Sequence, residues 1–479
     1  MKAFLKKLYL RSPMFLKRFY GAMPVRWRMG RTFRREYDLL AESESWDAER
    51  LARLQMDRLR DLLADAYANV PYYTRVFDEL GMKPGDVRTL EDLRRLPTLT
   101  KAKAKELGAE LHSRRVPRWQ VHFATTGGTT GEPFGFYLDD SSYETEWAFL
   151  LAQWRRVGYT LGHRKITLRG KVIDAAERGI YWEENPIYNE LYLSSYHLTG
   201  ENFPRYLEAI RRFAPTYIHG YPSAVSLLAE EFQKHPGSLD GLDFEAVLAG
   251  SERIFPEQRR LMEEAFDCRV YSWYGQTEKV ILAGECEEAE IYHAFPQYGV
   301  TEVLDPDGNP CPAGTVGELV GTGFMCRYMP LIRYRTGDRG ALADRFCDRC
   351  GRQYPIVEKL EGRVQDLVVT SDGRLIPITG LVFGAHLDEY AEIRKLQLVQ
   401  DEPGRVTVRV APERKFGAAE RENIIREYRR ISGGGLEVDV EIVDDIPTTA
   451  AGKHRYLVQN VDVESYLASG RSRDERQGR

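Results

Sequence analysis

Thr125-Thr126-Gly127-Gly128-Thr129-Thr130-Gly131-Glu132-Pro133 lies between two apolar runs, Val121-His122-Phe123-Ala124 and Phe134-Gly135-Phe136-Tyr137-Leu138. That pattern predicts a strand, a polar glycine loop and a second strand. Glycine allows close approach of backbone to a ligand, and successive N–H groups can point at an anion. Threonine hydroxyls add donors without charge. The stretch fits a phosphate-cradling loop, and a Thr/Gly-rich surface hairpin fits the same residues. The common nucleotide P-loop ends in Gly-Lys-Ser/Thr and opens a helix. Here Glu132-Pro133 follows the last glycine, so a polyphosphate held here needs its cations from Mg²⁺ or a distant lysine.

The chain has 479 residues, too many for one core, which predicts two or three domains. Apolar and charged fractions of 43% and 29% are those of an ordinary globular protein, and a net charge of −4 gives no global nucleic-acid signature. No apolar run is long enough to span a bilayer, and the N-terminus lacks a signal-peptide core. Six cysteines in this length are not a disulfide scaffold, which fits a reducing cytoplasm. Residues 1–35 carry eleven Lys/Arg and no acidic residue, interleaved with Phe4, Leu5, Leu8, Phe15, Leu16, Phe19 and Tyr20. This basic arm is expected either to touch anionic lipid at the inner membrane face or to pack on the main domain. Residues 466–479 read as a polar tail.

Residues 36–112 read as helical, with Leu51, Leu54, Leu59, Leu62, Leu63 and Ala66 near helical spacing and Pro71 as a stop. From about 120 to 330 short apolar segments alternate with helices. Lys165–Leu168, Thr216–Gly220, Ala246–Gly250 and Arg269–Trp273 are the strands; Ala224–Lys234 and Pro256–Ala265 are two of the helices. The alternation predicts an α/β body with mostly parallel sheets, whose ligands sit at the strands' carboxyl ends. After about 360 the pattern changes to a small α+β lobe. Strands lie at 393–400 and 405–410 about a Glu402-Pro403-Gly404 turn, then a helix over Arg414–Arg430 and a strand over Leu436–Val443. The expected division is an arm (1–35), a large domain (36–361), a small mobile lobe (362–465) and the tail.

Six short segments occur in a fixed order. They are the Thr/Gly loop; Gly250-Ser251-Glu252; Tyr274-Gly275-Gln276-Thr277-Glu278; Tyr334-Arg335-Thr336-Gly337-Asp338; Gly362-Arg363; and Pro447-Thr448-Thr449-Ala450-Ala451-Gly452-Lys453. In this order the chain resembles the adenylate-forming superfamily of acyl-CoA synthetases. Ala66–Tyr73, and Tyr221-Pro222-Ser223 after His219-Gly220, resemble its phenylacetate–CoA ligase and CapK branch. The resemblance covers about residues 50–460.

The resemblance implies ATP-dependent activation of a carboxylate through an acyl-adenylate, with coenzyme A as the leading acceptor. Two anionic reactants make positioning and charge neutralisation the main catalytic task. It implies that Thr125, Thr126, Thr129 and Thr130, with the backbone of Gly127, Gly128 and Gly131, hold the β- and γ-phosphates. Glu278 would hold Mg²⁺, Thr277 would touch the α-phosphate, and Tyr274, in the segment with Gly275 and Gln276, would stack on adenine. Gly250, Ser251 and Glu252 would flank the adenine, Asp338 would accept from both ribose hydroxyls, and Arg363 would lie near the ribose. Lys453 would reach in from the small lobe to bridge the acyl carboxylate and the α-phosphate. His219 and Tyr221 are candidates for the acyl pocket, and a structural histidine fits His219 as well. Two departures stand out. Glu132 occupies a position where the family loop often carries lysine. Gln365-Asp366 replaces the usual acidic hinge residue two positions after the arginine. An amine acceptor in surface-polysaccharide assembly is the rival reading, and a non-catalytic nucleotide binder a second. The sequence leaves the identity of the acid and the oligomeric state, a homodimer included, open.

Cys347-Asp348-Arg349-Cys350 has metal-knuckle spacing, and Cys286 with His293 supplies a thiol and an imidazole upstream. Three thiols and one imidazole complete a tetrahedral Zn²⁺ shell with no position left for water, hence a structural site. Four unconnected reduced side chains are the alternative.

Overall fold

The computed structural model describes residues 13–23, 28–125, 134–251, 254, 256–305, 307–360, 367–378, 381, 393–412, 416–447, 457–463 and 466. The runs flanking the Thr/Gly stretch pair as an antiparallel ladder, β1 (Val121–Thr125) and β2 (Gly135–Asp139), closed by Thr125 opposite Gly135. Residues 126–133 lie outside the described residues, as do Glu252, Arg363, Gln365, Asp366 and Lys453.

The N-terminal third is helical: α1 (Met14–Ala22), α2 (Arg31–Ser43), α3 (Ala48–Asn69) and α4 (Pro71–Glu79). Asp47 caps α3 by accepting from the Arg50 N–H at 2.7 Å. The buried face of α3 is Leu51, Leu59, Leu62, Leu63 and Ala66, four of the six at or below 1% exposure counting Gln55. Pro71 lacks an N–H and opens α4 at its first turn, as its fixed φ allows.

A twelve-stranded sheet forms the body, in the order β4-β5-β3-β6-β7-β8-β9-β10-β14-β13-β12-β11. One half holds β3 (Lys165–Leu168), β4 (Trp182–Asn185), β5 (Glu190–Leu193), β6 (Tyr217–Gly220), β7 (Ala246–Gly250) and β8 (Val270–Gly275). Here β5, β3, β6, β7 and β8 run parallel. The connecting helices are α6 (Phe203–Phe213), α7 (Pro222–Lys234) and α8 (Pro256–Phe266), and β2 leads into α5 (Ser142–Arg155). Every residue of β3, β6 and β7 is buried, as expected of parallel strands covered on both faces.

The other half is β9 (Leu282–Glu285), β10 (Tyr292–Ala294), β11 (Gly299–Leu304), β12 (Gly317–Gly323), β13 (Tyr334–Leu342) and β14 (Ile356–Leu360). All its pairings are antiparallel. The expectation of mostly parallel sheets therefore holds for the α/β half only. From β8 to β14 the connections carry no helix among the described residues, and a parallel return needs a crossover of a dozen or more residues.

From Leu367 the chain builds a hairpin of β15 (Leu367–Val369) and β16 (Leu375–Pro377), then a four-stranded sheet. The sheet has β17 (Ile393–Glu402) and β18 (Arg405–Pro412) at its centre, β19 (Glu437–Ile442) and β20 (Leu457–Gln459) at its edges, and α9 (Ala418–Ile431). Gly404 turns the β17–β18 hairpin at φ +79°. Leu398, Val406, Val408, Val410, Ile424 and Tyr428 form a separate core there. No helix among the described residues is long and apolar enough to cross a membrane.

Candidate active site

Strands β3, β6, β7 and β8 end together at one edge. Leu168 pairs with Gly220, Gly220 with Ala249, and Gly250 with Trp273. The next residues, Arg169, Tyr221, Ser251 and Tyr274, therefore line the carboxyl edge. A Cβ at Gly250 would meet the Trp273 ring at 2.5 Å, so only glycine lets the two strands close there. Ser251 follows at φ +69°, a left-handed conformation that costs a non-glycine residue about 1–2 kcal/mol. Its hydroxyl accepts from Arg169 Nη2 at 2.8 Å.

The structure brings together Tyr274, Gln276, Glu278 and Asp338 from the two halves of the sheet. Tyr274 donates its hydroxyl to Asp338 Oδ2 at 2.9 Å, and the Gln276 amide donates to the same hydroxyl. Tyr334 donates to Glu278 Oε1 at 3.1 Å. Burial, then the charge of Asp338, pushes the Tyr274 phenol well up, so it remains a donor at neutral pH. Asp338 sits on β13 just after Gly337, whose φ of +76° turns the strand; the Gly337 N–H donates to Glu318 at 3.1 Å. Thr336 fixes the bend, accepting from the Asp338 N–H at 3.1 Å and donating to Leu319 O at 2.7 Å. Thr277 lies exposed in the turn after β8, while Glu278 is buried. The result is two carboxylates near one phenol pair at the ends of the strands, a set suited to a ribose and a cation.

His219 is held as a structural histidine. It is buried, with Nδ1 donating to Leu248 O at 2.9 Å and its ring packed between Trp154 (4.9 Å) and Trp273 (5.6 Å). Burial, with Arg169 nearby, holds its pKa well down, so it is neutral. Tyr221, the residue after β6, lies under the Arg169 guanidinium at 5.1 Å.

Away from this edge, Cys286, His293, Cys347 and Cys350 place their ligand atoms within 4.8 Å of one another. His293 Nε2 lies 3.3 Å from Cys350 Sγ. Three of the four side chains are buried. The sheet does this: β10 lies between β9, which ends just before Cys286, and β14, which follows the knuckle. Burial pushes the Cys286 thiol up to about 12 and, with Arg156 and Arg352, the His293 imidazole down to about 3. A neutral imidazole and thiols that give up their protons to a cation are what Zn²⁺ takes, and the closed, sulfur-rich donor set fits it. Arg352 beside the cluster makes a two-point contact with Glu287 (2.6 and 2.5 Å) and reaches Glu44 at 2.8 Å.

Sequence reading had not assigned Arg169, Tyr334 or the Glu44–Arg352–Glu287 set. Tyr334 was legible as part of its motif. Arg169 and Ser251 are 82 residues apart with no shared pattern.

A two-part sheet with a polar, carboxylate-bearing set at its carboxyl edge, followed by a small α+β unit, fits the class of adenylate-forming ligases. A family model described as AMP-binding enzyme matches residues 192–326, and one described as CapK C-terminal domain matches 368–460. The phenylacetate-coenzyme A ligase of Thermus thermophilus is 31% identical over 345 residues, covering 70% of this chain and 75% of that one. Protein CapK of Staphylococcus aureus is 23% identical over 417 residues, 86% of this chain and 90% of the other. Among solved structures, 2-hydroxyisobutyryl-CoA ligase, captured with 2-HIB-AMP and CoA in its thioesterification state, has a TM-score of 0.59 at 19% identity. It covers 92% of this chain and 94% of its own. The chain thus belongs to the AMP-binding enzyme family of adenylate-forming ligases, in its phenylacetate–CoA ligase and CapK branch.

Proposed function

We propose that the protein activates a small carboxylic acid with ATP and transfers the acyl group to coenzyme A. The acid's carboxylate oxygen attacks the α-phosphorus, the bond to the bridging β-phosphate oxygen breaks, and pyrophosphate leaves with that electron pair. The coenzyme A sulfur then attacks the acyl carbon, its proton passes to solvent, and AMP leaves. Asp338 accepts from the ribose hydroxyls, oriented by the Tyr274 donor. Mg²⁺, with Glu278 as its protein ligand, supplies charge neutralisation of the phosphates. The Thr125–Gly131 loop cradles the β- and γ-phosphates, Ser251 and Glu252 border the adenine, Arg363 approaches the ribose, and Lys453 bridges carboxylate and α-phosphate. The large domain ends near residue 361 and the lobe beyond it turns between the two half-reactions. The Cys286/His293/Cys347/Cys350 cluster holds a structural Zn²⁺. The exposed Leu16, Phe19 and Tyr20 of α1, beside Lys17 and Arg18, rest on anionic lipid.

The observation that carries the reading is the Tyr274–Asp338 pair set beside Glu278 at the carboxyl edge of a family-typical sheet. A second acceptor, an amine on a sugar, is favoured by the CapK-type match over residues 368–460. Pyrophosphate release, screened over aryl, aliphatic and amino acids with and without coenzyme A, separates the two. Lys453→Ala should cut adenylation by roughly 10²-fold or more; near-normal release in that variant contradicts its role.

A further inference from the structure

We infer that a cavity between α2, α5 and the segment leading into β3 is a second ligand site, built for a small carboxylic acid with a compact apolar body. It lies at the amino ends of the parallel strands, the opposite edge from Tyr274, Glu278 and Asp338. Tyr159, in its wall, packs edge-on against Tyr217, the first residue of β6, at 5.1 Å. The cavity measures about 170 Å³; an engineered apolar cavity of about 150 Å³ holds benzene. Phe33 and Tyr37 of α2, Leu151 of α5 and Leu161 form its apolar wall. That wall is fixed before a ligand arrives, which lowers the ordering cost of binding. Phe33 and Tyr37 stack at 5.5 Å, and Arg155 lies over the Tyr37 ring at 5.2 Å. The Asn189 amide holds the segment before β3 by donating to Leu161 O at 3.2 Å and Gly162 O at 3.1 Å.

Two polar groups in the wall lack a partner. Tyr159 is 1% exposed, and its hydroxyl has no hydrogen-bond partner among the described residues. Burial, then the charge of Glu190, pushes this phenol up, so it stays an O–H donor. A buried donor with no acceptor is costly and rare, and it marks a place for the oxygen of a ligand or a water. Arg34, half-buried, also lines the cavity and forms no ion pair and no side-chain hydrogen bond among the described residues. Its neighbours are matched: Arg35 with Glu36 at 3.0 Å and Arg155 with Glu44 at 3.2 Å, while Asp38 has a partner of its own. The undescribed stretches nearest to Arg34 in sequence, 1–12 and 24–27, contain no Asp or Glu. A guanidinium presents a planar fork of donors shaped for a carboxylate. Apolar walls of this size, one buried neutral donor and one open guanidinium together fit an acid with a small ring or branched chain, its carboxylate on Arg34 and an oxygen facing Tyr159.

The test uses the full-length protein with benzoate as the probe, titrated by calorimetry against wild type, Arg34→Ala and Tyr159→Phe of equal thermal stability. Benzoate should bind; Arg34→Ala should weaken it about 10-fold or more, and Tyr159→Phe about 5-fold. Benzamide keeps the ring and loses the charge, so it should bind wild type about 10-fold more weakly and be indifferent to Arg34→Ala. In crystals soaked with 4-bromobenzoate the bromine anomalous peak should lie between α2 and α5. No binding of benzoate, or an affinity unmoved by Arg34→Ala, overturns the inference, as does equal affinity for benzamide or a bromine peak only at the carboxyl edge. Pyrophosphate release by Arg34→Ala should match wild type; its loss would put Arg34 in the chemistry and overturn a separate site. Absence of release with every acid strikes the adenylation reading and leaves this site standing.

Discussion

The hydroxyl of Tyr274 and the carboxylate of Asp338 should act on nucleotide as one unit. Both side chains are 8% exposed, and they meet at 2.9 Å. A hydrogen bond to a charged, buried acceptor is worth about 1.5–3 kcal/mol, or roughly 10–150-fold in affinity. Tyr274→Phe keeps the ring and removes only the donor that aims Asp338, so AMP should bind about 10-fold more weakly. Asp338→Ala removes the proposed ribose acceptor and should weaken AMP roughly 100-fold or more. In the double variant the phenol is gone together with the group it oriented, so its loss should match that of Asp338→Ala alone. The coupling energy is then about 1.5 kcal/mol, well outside the about 0.5 kcal/mol within which independent sites add. Isothermal titration with AMP on four proteins of equal thermal stability gives the cycle. Losses that add within that margin would refute the idea that Tyr274 works through Asp338, and would leave it an independent contact.

Other expectations follow from other parts of the molecule. Protein purified without chelator should carry about one zinc per chain by elemental analysis, and Cys350→Ser should lose it; metal-free wild type removes the proposal. Glu44 is held below its ordinary value of 4.5 although burial by itself raises it, because Arg156 and Arg352 prevail. A lowered carboxyl pKa contributes stability that is full above the unfolded value and is lost as pH falls through the folded one. Thermal melts should therefore show Glu44→Gln less stable than wild type at pH 7, with the gap closing as the pH falls below the ordinary value of 4.5; a constant gap would mean that packing, not charge, holds Glu44. Deleting residues 1–35 should lower sedimentation with anionic vesicles, more at low salt than high; unchanged sedimentation leaves α1 without a lipid role.

Much of this molecule is legible from its residues, and the illegible parts share a cause. The β1–β2 ladder could be read because glycines interrupt two apolar runs, and β3, β6 and β7 because each is a short, wholly buried run. The small unit could be read because Val406, Val408 and Val410 alternate inward opposite Leu396 and Leu398, while Glu437, Asp439 and Glu441 face out on β19. The helix expected from Arg414 is observed from Ala418, where Gly417 donates its N–H to Glu420 at 2.8 Å and sets the start. The antiparallel half misled because β9, β10 and β14 are three to five residues long and carry no hairpin signal of their own. Tertiary pairings over long separations, such as Arg169 with Ser251 or Glu44 with Arg352, leave no local pattern at all.

The cysteine–histidine cluster and the nucleotide-side residues occupy opposite ends of the same strands, which gives the cluster a mechanical meaning. Tyr274 pairs with Ala283 and Gly275 with Leu282, so the turn carrying Gln276 and Glu278 closes β8 against β9. Four residues along, β9 delivers Cys286, about 13 Å away at about 3.3 Å per residue. The chain then returns through β10 with His293 opposite Gly284 on one side and Ile356 on the other. Cys347 and Cys350 lie between β14 and β13, and β13 begins with Tyr334 and bears Asp338. A metal ion bound by these four side chains would fix the register of β9, β10 and the β13–β14 connection at the end remote from the proposed ligand. That register decides whether the Tyr334 hydroxyl meets Glu278 and whether Tyr274 meets Asp338, because β13 does not neighbour β8 or the turn that follows it in the sheet. A one-residue slip would turn each side chain to the other face, so a clamp far from the chemistry can hold both carboxylates in position without touching either.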